Sequence, residues 1–143
     1  SYAIVVRAEA IYGGLVVPSC VEAVASGMSS VRWAREQGWS GTTGARLAAD
    51  AHAGDEIAVA ALRRAGTALG AAIASAAALL DVDRVVIGGG FAQSGAPLWD
   101  PLRAAVHAHA GLRFLRGLRV ELSAISHGAT LAGAGVLAAE ELA

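Results

Sequence analysis

Arg84-Val85-Val86-Ile87-Gly88-Gly89-Gly90-Phe91 is the stretch on which the reading of this chain turns. Three β-branched residues in succession, with no polar residue between them, predict a strand buried in the middle of a sheet. The glycines end that strand sharply. They expose backbone N–H groups at its carboxyl edge, where open α/β sheets bind ligands, and no Cβ blocks the approach. Two readings stay open here: a ligand site, or a tight turn that needs positive φ. The stretch is not a dinucleotide fingerprint, because the third glycine required by Gly88 and Gly90 would fall on Gln93.

Upstream, Gly54-Asp55 opens a long helix running toward Leu80, with Asp55 as N-cap and Glu56 in the first turn. Gly66 and Gly70 lower its helix propensity, but they share a face and would let another backbone come close. Asp81 to Asp83 breaks the helix. Further back, Tyr2 to Val6 reads as a strand and Tyr12 to Pro18 as a turn or short strand. A helix is expected from Ser19 to Gln37, capped by Ser19 with Glu22 three residues on. Gly38 to Gly44 is a loop around Trp39, and a short helix is expected from Ala45 to His52. Downstream, Pro97 to Ala110 reads as a helix with Pro101 in or near its first turn. Leu118 to Ile125 alternates as a strand, and Ser126 to Leu142 closes the chain as a helix. This order predicts an α/β layer architecture in one domain, residues 1–143, without repeats or linkers.

Composition narrows the function. The 143 residues are 55 % hydrophobic and 16 % charged, with a formal net charge of −1, so neither a basic nucleic-acid surface nor an acidic tail is present. Mean hydropathy of +0.53 excludes global disorder. All 11 basic residues are arginine, which excludes Schiff-base and P-loop lysines. The longest uncharged stretch, Ala65 to Leu80, falls short of the ~20 apolar residues of a membrane span and reads as a buried helix. Residues 1–10 do not resemble a signal peptide. The lone Cys20 fits a reducing compartment.

Other polar residues read as structure. His107 and His109 are two apart and point to different faces of a helix, whereas a metal pair needs a spacing of three or four. His52 and His127 are isolated. Ser26, Ser29 and Ser30 lack a partner at nucleophile-elbow spacing. Arg113, Arg116 and Arg119 form a small solvated cluster.

Four segments in order resemble the C-terminal half of the ROK family of repressors, open reading frames and sugar kinases. Ser19-Cys-Val-Glu-Ala-Val-Ala-Ser-Gly27 is similar to the family's Gly-Cys-x-Glu-x-x-x-Ser-Gly segment. Ala53-Gly-Asp-Glu-Ile-Ala58 resembles its Gly-Asp-x-x-Ala helix start, and Arg84 to Gly90 its strand and glycine turn. Ile125-Ser-His-Gly-Ala-Thr-Leu-Ala-Gly-Ala134 resembles its closing Leu-Gly-x-x-Ala-x-x-x-Gly-Ala. The resemblance covers about residues 18–143.

It implies an RNase H-like lobe of the actin-like ATPase fold, a mixed sheet flanked by helices. The chain would be the C-terminal lobe of an ATP-dependent hexose kinase that moves the γ-phosphoryl of Mg-ATP to a sugar hydroxyl. By the same resemblance Gly88, Gly89 and Gly90 would lie against the adenosine of ATP. Glu22 would hydrogen-bond a sugar hydroxyl, with Glu9 a second sugar contact if Ala8-Glu9-Ala10-Ile11-Tyr12 is a degraded Glu-x-Gly-His motif. Cys20 matches the last cysteine of the family's zinc motif. Gly13 and Leu15 stand where the earlier cysteines belong, so no zinc is expected. The Asp-x-Gly-Gly-Thr motif and the catalytic aspartate belong to the N-terminal lobe, so no catalytic residue is assigned to this chain and it is not expected to turn over alone. Two alternatives accompany the kinase. One is the sugar-sensing lobe of a repressor, with no nucleic-acid binding by this chain itself. The other is a non-catalytic oligomerisation lobe, whose interface Gly66, Gly70, Gly133 and Gly135 could form. A cytoplasmic homo-oligomer without membrane contact completes the expectation.

Overall fold

The computed structural model describes residues 3–7 (as backbone), 26–81, 83–109 and 117–122. Its elements are β1 (Ala3–Arg7), α1 (Gly27–Glu36), α2 (Gly44–His52), α3 (Glu56–Leu80), β2 (Arg84–Gly88), a 3₁₀ turn (Phe91–Ser94), α4 (Ala96–His109) and β3 (Arg119–Leu122).

The three strands form a parallel sheet in the order β1-β2-β3. β2 is central, with Val85 opposite Ile4 on one side and Val120 on the other. Val85 and Ile87 are buried on one face, where Leu118 and Val120 pack against the same core, and Val86 on the other face is half-buried. Parallel strands need crossover connections. Here α1 to α3 lie in sequence between β1 and β2, and α4 lies between β2 and β3.

Helix α3 is the spine. Asp55 caps it, its Oδ1 accepting from the Ala58 N–H at 2.8 Å. Asp81 ends it in the left-handed conformation at φ 52°, which aspartate tolerates better than most residues. Ala58, Leu62, Ala65, Leu69, Ile73 and Ala77 recur at intervals of three and four and are buried. This helix is long and apolar enough to cross a membrane by length and composition, but half of that span is buried against the rest of the fold. It packs mainly on α4, and also on α1 and α2.

The α3–α4 seam depends on the two glycines. A Cβ on Gly66 would overlap the Leu98 carbonyl oxygen, and one on Gly70 would overlap the Leu102 carbonyl oxygen. Gly66 faces Leu98 and Gly70 faces Leu102, so the two helices run in the same direction. The small-residue face read from the sequence is therefore consumed inside the fold. Gly66 and Gly70 offer no interface to another chain.

One expected helix is interrupted. Ser26, in extended backbone at φ −87°, caps a helix that begins at Gly27, so the expected helix from Ser19 to Gln37 is not continuous; residues 19–25, with the Ser19 cap, lie outside the described residues. The Ser26 side chain accepts from the Ser29 N–H at 3.1 Å, and Ser29 Oγ accepts from the Ser26 N–H at 3.2 Å. In α4, Pro101 lies in the second turn, where its ring removes the bond to the Pro97 carbonyl. The expected features at Tyr12–Pro18 and Ser126–Leu142 lie outside the described residues.

Candidate functional site

The carboxyl end of β2 gathers the features that a ligand site would use. Gly88 closes the strand. Gly89 comes next at φ +98°, a conformation that side chains rarely adopt, so the turn requires glycine there. Gly90, at φ −62°, leads into the 3₁₀ turn. Positive φ and ligand approach are the two readings that the sequence allows for this stretch. The first is present, and it leaves the second available, since the bend occurs where a central parallel strand ends.

The segment after the glycines is held firmly. Trp99, 6 % exposed, donates its Nε1–H to the Ala92 carbonyl at 2.8 Å. Ser94 Oγ donates to the Phe91 carbonyl at 2.6 Å. His52 Nε2, on α2, lies 2.9 Å from the Ser94 carbonyl. Phe91 itself is buried beside the start of α1, where a Cβ on Gly27 would stand 3.4 Å from the ring. Thus the amino end of α1 and the glycine turn are neighbours. Ser26, Ser29 and Ser30 are occupied in that helix start, the Ser30 hydroxyl donating to the Ser26 carbonyl at 2.9 Å.

Arg103 lies over the Trp99 ring, 5.2 Å from its centre, and extends the cover of this region outward.

A second polar cluster supports the loop before α2. Asp50 accepts from Trp39 Nε1 and from Arg46 Nε, each at 2.8 Å. The Arg46 hydrogen bond, and then the Trp39 one, hold the Asp50 carboxyl below the usual aspartate range. With Trp39 buried, the cluster fixes the loop rather than presenting a reactive acid.

An open groove of about 840 Å³ runs along the outer side of the α3–α4 seam, between Val59, Arg63, Pro97, Pro101 and Ala104. It reaches His52 but not the three glycines. Among the described residues, no three His, Cys, Asp or Glu side chains come together to hold a metal ion.

Of the sites expected from sequence, Gly88, Gly89 and Gly90 form the turn at the end of β2. Glu9, Glu22 and Cys20 lie outside the described residues. Sequence reasoning missed the contacts that brace the turn. His52 and Ser94 are 42 residues apart, and no local pattern couples them. Trp99 carried a weak signal, since a buried indole needs an acceptor for its N–H.

Comparison with known proteins agrees with this architecture. Residues 10–141 match the model of the ROK family. Among solved structures, the chain is similar to a ROK family glucokinase from Streptomyces griseus in complex with glucose and AMPPNP. The TM-score is 0.71 at 27 % identity, covering 82 % of this chain and 44 % of that one. A ROK hexokinase from Thermus thermophilus gives 0.67 at 27 %, covering 82 % and 40 %. A ROK family transcriptional regulator, homologous to the E. coli MLC protein, gives 0.71 at 20 %, covering 92 % and 43 %. That last likeness is one of fold. No curated protein sequence matches the chain. The chain spans less than half the length of each of these three structures. Its α/β layering is that of the actin-like ATPase fold these kinases share.

Proposed function

From the premise that this chain belongs to the ROK family, we propose that it is the C-terminal lobe of an ATP-dependent sugar kinase. The single observation that carries this reading is the glycine turn. A central parallel strand ends in Gly88-Gly89-Gly90, bent by Gly89 at φ +98° and braced from α2 and α4. A turn without side chains accepts a flat adenosine against its backbone. The Streptomyces griseus glucokinase, 27 % identical, was crystallised with glucose and AMPPNP, which supports sugar and nucleotide as the ligand pair.

The reaction in this reading is transfer of the γ-phosphoryl group of ATP to a sugar hydroxyl. The hydroxyl oxygen forms the new P–O bond and loses its proton to a carboxylate, and ADP leaves. Such catalysis consists mostly of positioning and charge stabilisation. This chain would supply the adenosine cradle through Gly88, Gly89 and Gly90, and sugar contacts through Glu22 and Glu9. The base and the phosphate-binding turn would come from the N-terminal lobe of the family's pattern. Mg²⁺ would arrive with the nucleotide, held largely by its phosphates and by water. A cytoplasmic homo-oligomer belongs to the same reading, with its contact surface away from Gly66 and Gly70.

The test is calorimetric titration of the polypeptide, as its own cell makes it, with Mg-ADP. Heat of binding is expected, and Gly89→Val should abolish it. The same polypeptide should release ADP from ATP only when sugar is added. Absence of heat at millimolar nucleotide would overturn the nucleotide site and favour a non-catalytic oligomerisation lobe.

A further inference from the structure

We infer that His52 is a positioning residue for the nucleotide turn, an inference that rests on the kinase reading above. The turn has no side chains of its own, so what ties its two flanks bears on its shape. The upstream flank is β2, paired on both sides in the sheet. The downstream flank is Phe91–Ser94, and among the described residues three side-chain hydrogen bonds hold it, two of them from nearby in sequence. Ser94 Oγ bonds Phe91 within the 3₁₀ turn, and Trp99 reaches back from α4 to Ala92.

His52 brings the third of these hydrogen bonds, from a distant segment. It is the last residue of α2, and its Nε2 lies 2.9 Å from the Ser94 carbonyl. A carbonyl only accepts, so Nε2 carries the proton in this contact. The next residue, Gly95, sits at φ +77°, and a Cβ there would stand 2.9 Å from His52 Cε1 and Nε2. The chain thus turns with glycine where the imidazole docks, and the ring fills the space a side chain would take. Helix α2 is packed on α3 and also on the 3₁₀ turn. The imidazole fastens that second contact and so transmits the rigid helix layer to the end of the glycine turn.

Removing the ring frees the downstream flank to sample other backbone states. A ligand that needs one of them then binds more weakly, in proportion to the fraction of molecules still in it. One hydrogen bond of ordinary strength corresponds to about a three- to tenfold loss of nucleotide affinity. Sugar affinity should not change, because His52 acts only through the turn. Gln places an amide N–H close to where Nε2–H lies, so it should restore the tie.

The experiment measures Mg-AMPPNP and glucose dissociation constants, together with the unfolding midpoint, for the native polypeptide and for His52→Ala and His52→Gln. The expected result is nucleotide binding weakened about three- to tenfold in His52→Ala, returned to within about twofold by His52→Gln, with glucose binding unchanged. Equal nucleotide affinity in native protein and His52→Ala would overturn the proposal. So would equal losses for nucleotide and sugar that track the unfolding midpoint, since that pattern is general destabilisation. If the native protein binds no nucleotide, the kinase reading itself fails, which is a separate outcome. Nitrogen-15 NMR of the imidazole decides the contact independently of any ligand. A proton on Nε2 is expected, and a neutral ring protonated only on Nδ1 would overturn the tie.

Discussion

At the seam between α3 and α4, Gly66 and Gly70 are glycine because of what lies next to them. In the turn after β2, Gly89 is glycine because of its own backbone. Gly66 and Gly70 keep ordinary helical geometry, and a Cβ on either would run into a carbonyl oxygen of α4. Gly89 is held at φ +98°, where any L-residue is strained. The first kind of glycine is a packing device and the second a conformational one. The distinction matters for function, because the space a side chain would take at Gly66 and Gly70 is already filled by the backbone of α4. A glycine-rich sequence therefore signals nothing by itself until each glycine is assigned to one kind or the other.

The largest effect should come from the seam. Gly66→Ala would gain about 1 kcal/mol of helix propensity in an open helix. Here its methyl group meets the Leu98 carbonyl, which belongs to backbone and cannot rotate away. A net loss of about 2–3 kcal/mol is expected in urea unfolding. Adding Gly70→Ala should cost less than a second full increment, because a seam already opened by the first methyl relieves the second. Full additivity would mean that the two glycines pack independently, and a gain in stability would remove the seam from the comparison altogether.

A smaller loss is expected at the turn. Gly89→Ala adds about 1–2 kcal/mol of backbone strain. Its signature is a mismatch between readouts: Gly89→Ala should lose less stability than Gly66→Ala, yet lose more nucleotide affinity. If both variants lost affinity only in step with stability, the turn would be a packing device too.

How far the sequence foretold this arrangement depends on the range of the forces involved. The buried strand Arg84–Gly88 and the long helix from Asp55 were legible because apolar periodicity and caps are local signals. The close approach at Gly66 and Gly70 was legible as well, since two glycines on one helical face oppose propensity and need a reason. The start of α1 was not. Ser26 caps it, and serine at the third helical position is a weaker signal than the Glu or Gln of the usual Ser-x-x-Glu box. In the fold, the shorter Ser29 hydroxyl completes the box for Ser26. The pinning of the glycine turn by His52 was also hidden. It is a contact between two segments that only tertiary folding brings together, and an isolated histidine has no pattern to reveal it.

The smallest expected effect reverses the sign and so tests the comparison most sharply. Gly44 opens α2 directly after the Thr43 cap, whose side chain accepts from the Arg46 N–H at 3.1 Å. A Cβ there would meet nothing within 4 Å, and its φ is not positive. Neither reason for glycine applies. Gly44→Ala should therefore stabilise the fold by about 0.5–1 kcal/mol, chiefly by restricting the unfolded chain. The gain should appear as a raised urea midpoint with an unchanged slope, because the surface exposed on unfolding barely differs. A loss of stability at Gly44 would show that the backbone at this helix start depends on glycine in a third way. Contact and φ would then not be enough to sort the glycines of this chain.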